Sequence, residues 1–185
     1  GRWTGTAAVT LGLEGEVAAE QLRAVWAGQH PATGEALARF PGREIAGYDL
    51  TFRAPKSVSL LALLGDPDTA RTVTAAHEAA VDAAFSYIEQ NAARSRTGKN
   101  GVHQVEVQGL VAAAFRHRTS RAGDPHLHTH VLVANMGQGP DDVWRTLDGR
   151  WLYLHAKTAG YLYEAHLRDE LTRRLGVEWE PGRNG

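Results

Sequence analysis

Asp124-Pro125-His126-Leu127-His128-Thr129-His130-Val131-Leu132-Val133-Ala134-Asn135 is the stretch that decides how this chain is read. Its second half, Val131 to Asn135, has the apolar and β-branched character of a buried strand. Residues two apart on a strand share a face. His128 and His130 therefore point off one side, while Thr129, Val131 and Val133 take the other. Two imidazoles side by side on a rigid strand are half of a metal site. Neutral imidazole suits zinc, copper, iron and nickel, and accepts manganese. The plainer alternative is a pair of half-exposed strand histidines.

A catalytic metal site commonly takes three protein ligands and keeps a position open. His126, His117, His103 and His155 are the candidates for the third. His126 shares the parity of His128 and His130. Yet alternate Cβ atoms along a strand lie about 7 Å apart, which puts the outer pair at ~13 Å. A ligand from a neighbouring strand closes the site better, and an antiparallel hairpin brings His117 level with the pair. Strict alternation, however, places His117 on the side of Val105, Val107 and Phe115. A bulge or the strand's end must then turn it.

Around this strand the pattern reads as α+β with an antiparallel sheet. Val17 to Ala27 is a short helix ended by Gly28, and the segment from His30 to Gly42 is a loop. Ile45 to Phe52 is a half-buried strand in which Tyr48, Leu50 and Phe52 alternate with Asp49 and Thr51. Lys56 to Leu64 is a helix with Pro55 in its first turn. Asp66 then caps a long helix that starts at Pro67 and carries a structural His77. Arg94, Arg96 and Lys99 cluster at its end, as a solvated face or a phosphate contact. Val102 to Phe115 reads as one long strand, and Val143 to Leu147 as a short one. Leu154 to Leu175 is a second long helix, with Ala159, Leu162, Tyr163, His166 and Leu175 near one face and Gly176 as its cap.

Bulk properties narrow the classes. The 185 residues fit one domain with a substantial core. No apolar run approaches the ~20 residues of a membrane span. Gly1-Arg2-Trp3-Thr4-Gly5 leads into no apolar signal segment. The absence of cysteine rules out disulfides and thiolate ligands and fits a cytoplasmic protein. A net charge of −1 means that any polyanion must be held by local patches. Both ends read as cut from something longer.

Two blocks carry a family resemblance. Phe115-Arg116-His117-Arg118-Thr119-Ser120-Arg121 followed by Asp124 to His130 resembles the three-histidine signature of MobF-type (TrwC/TraI-like) conjugative relaxases. Tyr48-Asp49-Leu50-Thr51-Phe52-Arg53-Ala54-Pro55-Lys56-Ser57-Val58-Ser59 resembles the same family's second block, in the same order and separation. The resemblance implies the HUH-endonuclease palm, an antiparallel β-sheet flanked by helices. It implies a single relaxase domain over 1–185, and strand-specific nicking by transesterification at a plasmid transfer origin during conjugation. The implied partners are single-stranded or hairpin origin DNA, a C-terminal helicase region and the conjugation machinery. His117, His128 and His130 would hold one divalent ion, magnesium or manganese, with zinc or nickel as further options. Asp49 would orient a ligand histidine or help activate the nucleophile, consistent with its polar-face position. Lys56, Arg118 and Arg121 would contact DNA; alternatives are solvent for Lys56 and an ion pair with Asp124 for Arg121.

The chain departs from the family in its nucleophile. The family's catalytic tyrosines precede the first helix, whereas this chain has Tyr48, Tyr87, Tyr153, Tyr161 and Tyr163. Tyr161 and Tyr163 look like a pair, but residues two apart on a helix point about 200° apart. One is expected in the core and the other at the surface. The expectation is a relaxase fragment without its nucleophilic segment, unable to cleave by itself. A non-cleaving, metal-containing module for single-stranded DNA is the rival. A metallo-β-lactamase-type hydrolase is opposed by Val131 and Leu132 after the H-x-H, and a cupin by the two long helices.

Overall fold

Residues 1–37 and 45–180 are described by a computed structural model. The His30–Gly42 loop expectation therefore falls partly outside the described residues. The central element is β6 (Pro125–Ala134), which pairs antiparallel with β5 (Ala112–Thr119) on one side and β2 (Gly47–Arg53) on the other. β1 (Arg2–Thr4) adds to the far side of β5 and gives the order β1-β5-β6-β2. This is the antiparallel sheet expected from the sequence.

Alternation in these strands builds two different layers. Leu127, Val131 and Val133 of β6, with Phe52 of β2 and Ala112 and Ala114 of β5, face a large apolar core. Three helices cover that side: α3 (Lys56–Leu64), α4 (Pro67–Ala92) and α5 (Gly149–Leu175). Asp66 caps α4 as expected, accepting from the backbone N–H of Asp68 and Thr69 at 2.9 and 3.0 Å. The opposite face is covered only at one end. There Trp3, Ala113, Ala134 and Met136 pack with α1 (Thr6–Thr10) and α2 (Ala19–Trp26). The other end of that face carries the histidines.

Three expectations need correction. The long strand over Val102–Phe115 is two strands. β4 (His103–Glu106) pairs with β3 (Arg94–Thr97) in a separate ribbon, and only β5 joins the main sheet. The break centres on Gly109, whose φ is +91°. A Cβ there would lie 2.7 Å from the Cβ of Thr6, so a side chain is excluded. The helix expected from Leu154 begins at Gly149. Its start is anchored from β3, because Asp148 accepts a charged hydrogen bond from Arg96 and donates its backbone N–H to the Arg94 carbonyl. Within α5 the buried residues are Leu152, Ala159, Tyr163, Leu167 and Leu171. His166 is exposed and Leu162 only half-buried, so that face was drawn too wide.

Candidate metal centre on the histidine face

The cross-strand register brings the predicted residues to one place. His128 lies opposite His117 on β5 and opposite Arg53 on β2; His130 lies opposite Phe115 and Thr51. The break at Gly109 resets the alternation, so the parity of Val105 and Val107 has no bearing on β5. His117 shares the face of Ala113 and Phe115, which is also the face of His128 and His130. A register shift does occur, but between His117 and Thr119. It lies beyond the histidine and is not what turns it.

The three rings form a triangle. Centroids are 5.2 Å apart for His117 and His128, 5.5 Å for His117 and His130, and 5.1 Å for His128 and His130. Imidazoles sharing one ion through nitrogens at ~2.1 Å place their centroids roughly 4.5–5.3 Å apart. Spacing and donor type thus fit a single divalent ion. Ring orientation does not yet fit: His117 and His128 are stacked, 19° from parallel, so they do not aim nitrogens at one point. Among the described residues no group of three His, Asp or Glu side chains stands in closed coordination geometry. Turning one ring is what coordination would require.

Hydrogen bonds fix the other two histidines for ligation. The Asp49 carboxylate accepts from Nδ1 of His130 at 2.8 and 3.0 Å. The carbonyl of His126 accepts from Nδ1 of His128 at 2.8 Å. With the proton assigned to Nδ1 by these partners, both Nε2 atoms keep a free lone pair. A carboxylate behind an imidazole orients the ring and raises its basicity. The expected role of Asp49 toward a histidine therefore has a direct geometric counterpart. Partial desolvation, and after it His128 and His130, hold the His117 pKa below the ordinary histidine value. The neutral, ligating form is favoured there.

Beneath the same strand lies a buried polar network that the sequence suggested only in part. His77 on α4 is fully buried, as a structural histidine should be. Its Nε2 lies 2.7 Å from Oγ1 of Thr129, and its Nδ1 2.8 Å from the hydroxyl of Tyr163 on α5. Thr129 sits between His128 and His130 on β6 with its side chain on the opposite face. Burial lowers the pKa of His77 to about 4, with smaller contributions from Arg116 and His128. The ring is neutral, so it gives one hydrogen bond and takes the other.

The predicted basic residues are dispersed. Lys56 donates from Nζ to the Pro125 carbonyl at 3.0 Å, at the entry of the histidine strand. Arg121 is exposed in the turn that joins β5 to β6, and among the described residues it forms no ion pair with Asp124. Arg118 lies on the helix side instead, against a small cavity with Ser59, Leu63, Thr74 and Leu127. The Arg94–Lys99 cluster is largely consumed within the fold. Arg94 pairs with Glu106 and lies over the Trp151 ring, and Arg96 pairs with Asp148. Arg53 and Thr51 were passed over, although the parity that places Asp49 on the polar face applies equally to them.

None of the five tyrosines is on the histidine face. Tyr48, Tyr87 and Tyr163 pack with the helix-side core, and Tyr153 and Tyr161 are exposed on α5. Tyr163 is 2% exposed and Tyr161 61%, the core-and-surface split expected of that pair.

Comparison with known proteins agrees with this geometry. The sequence model of the TrwC relaxase family matches residues 1–185. The chain is 36% identical over 192 aligned positions to the multifunctional conjugation protein TraI of Escherichia coli strain K12, covering 97% of this chain and 10% of that protein. It thus spans about a tenth of the length of the curated relatives it matches. A copper-bound structure of the conjugative relaxase TrwC in complex with oriT DNA superimposes with a TM-score of 0.88 at 36% identity, over 100% of this chain and 62% of that one. TrwC complexed with a 27-mer DNA comprising the recognition hairpin and the cleavage site gives 0.85 at 36% identity, over 99% and 65%. The family match over the whole chain, together with the histidine triangle backed by Asp49, places this protein in the TrwC relaxase family.

Proposed function

We propose that this chain is the metal- and DNA-binding body of a conjugative relaxase, acting on single-stranded or hairpin DNA at a plasmid transfer origin. The observation that carries this reading is the meeting of His117, His128 and His130 on one open sheet face, with Asp49 behind His130. His117, His128 and His130 would hold one divalent ion, magnesium or manganese in the cell, with zinc or nickel also accommodated. Such an ion supplies Lewis-acid polarisation of a phosphodiester. Asp49 holds the proton on Nδ1 of His130 and fixes that ring. Lys56 and Arg121 flank the strand's entry and turn, where a DNA backbone would be steered. Arg118 is the weakest of the proposed DNA contacts, because its side chain lies on the helix side.

The nucleophile of strand cleavage is not among these five tyrosines, since none shares the histidine face. This favours binding without cleavage when the chain acts alone, the role of a non-cleaving module. The helicase region and conjugation machinery expected as partners would act through other parts of a longer protein. TraI, described as multifunctional and ten times the aligned length, supports that division. No helix among the described residues is long and apolar enough to cross a membrane.

The test is a labelled hairpin oligonucleotide with a single-stranded extension, incubated with the chain and manganese. Binding is expected in solution, weakening as salt rises, with no covalent band on a denaturing gel. Absence of binding would overturn the reading. A covalent band would place the nucleophile among the tyrosines present.

A further inference from the structure

We infer that Arg53 is a DNA-phosphate contact beside the histidine centre, forming a backbone subsite with Lys56 and the ring of His126. The inference rests on the proposed DNA-binding reading and adds a residue to it. β2 places Asp49, Thr51 and Arg53 successively along the histidine face, while Phe52 is buried on the other. Arg53 lies directly opposite His128, which lies opposite His117, so the three form one cross-strand row. Directly opposed residues on antiparallel strands have Cβ atoms about 5 Å apart. A guanidinium on that side chain therefore reaches over the ground next to the His128 ring without any backbone movement.

Charge accounting separates Arg53 from the chain's other strand arginines. Arg2, Arg94, Arg96, Arg116 and Arg145 are each held by a carboxylate. Arg118 turns to the helix side. Among the described residues the Arg53 side chain has neither an ion pair nor a hydrogen bond, and it is exposed. Asp49, the carboxylate nearest along β2, is already engaged by His130. The His126 ring lies 4.7 Å from that of His128, the residue opposite Arg53, and Lys56 is held at the adjacent Pro125 carbonyl. Among the described residues no carboxylate pairs with Arg53 or Lys56, which leaves a small cationic patch at the open end of the face. Planar, five-donor guanidinium matches a phosphodiester's two non-bridging oxygens. Charge on an edge strand such as β2 also discourages unwanted strand pairing. That role would leave DNA affinity and its salt dependence untouched, so the two can be told apart.

The probe is a fluorescein-labelled 20-nucleotide oligo-dT, titrated by anisotropy at several salt concentrations without metal. One phosphate contact on single strands contributes about 0.7 to the slope of log affinity against log salt. Arg53→Ala is expected to reduce the slope by that amount and weaken binding several-fold at low salt, with Arg53→Lys restoring most of the slope. Arg145→Ala, which removes a guanidinium already paired with Asp141, should leave it unchanged. An Arg53→Ala slope equal to wild type, with wild-type binding intact, overturns the subsite alone. A wild-type chain that binds the hairpin oligonucleotide but not oligo-dT overturns the subsite alone; one that binds neither overturns the DNA-binding reading as well.

Discussion

The two faces of β6 share one backbone and have opposite fates. Leu127, Thr129, Val131 and Val133 are buried against the helices, whereas His126, His128 and His130 stay half-exposed on the other side. The buried face is closed by apolar packing, with polar links from Thr129 to His77 and from the Leu127 N–H to the Ser59 hydroxyl. The open face gathers imidazoles, Asp49 and Arg53. Stability and chemistry are thus separated by a period of two, and substitutions one residue apart should have unlike consequences.

The sharpest way to break this comparison is Val131→Asp. It puts an unpaired carboxylate into a fully buried position, at a cost of about 4 kcal/mol or more. Denaturant unfolding should show the chain largely unfolded or strongly destabilised; near-wild-type stability would mean the face is not sealed. By contrast, His130→Ala and His128→Ala should keep the melting temperature within a few degrees. Each should lower the affinity for manganese or zinc about 100-fold or more by calorimetry. Unchanged affinity in both would remove the metal centre.

His77 tests a polar element of the buried face. His77→Leu leaves the hydroxyls of Thr129 and Tyr163 without their partner and should cost roughly 1–3 kcal/mol at pH 7. Its pH dependence has a definite sign. The folded-state pKa, about 4, lies below the ordinary 6.5. The unfolded chain therefore takes up the proton first as pH falls. The stability gained from keeping the ring neutral is complete above about pH 6.5 and is lost progressively down to about pH 4. Wild type should lose up to about 3 kcal/mol over that window from this group, and His77→Leu should show a shallower decline. Identical slopes would show that His77 is not the group responsible.

Asp49→Asn gives the smallest effect. The fold should be unaffected, because the side chain lies on the open face. Weaker support of His130 should reduce metal affinity about 10- to 100-fold, below the loss from removing either ligand. An equal loss would make Asp49 a ligand in its own right.

Much of this was legible because it is local. H-x-H on an apolar strand gives the shared face by alternation, and Asp49 follows from the same rule on β2. Asp66-Pro67 marks the start of α4 through capping chemistry, and Gly176 marks the end of α5. Arg53 was equally within reach, since its parity is that of Asp49.

What the sequence alone determined was therefore periodicity: which residues alternate, where helices start, and which histidines can stand together on a strand. The tertiary structure decided the rest. The register of β5 against β6 brought His117 opposite His128, because a glycine squeezed against Thr6 ended one strand and reset the parity of the next. Partners distant in the chain decided which arginines remain available. Arg94 and Arg96 found carboxylates at Glu106 and Asp148, and Arg118 turned to the helices. Alternation is set by backbone sterics within a few residues, and so it can be read directly. Register and ion pairing depend on contacts between segments far apart in sequence, whose energies no local pattern encodes.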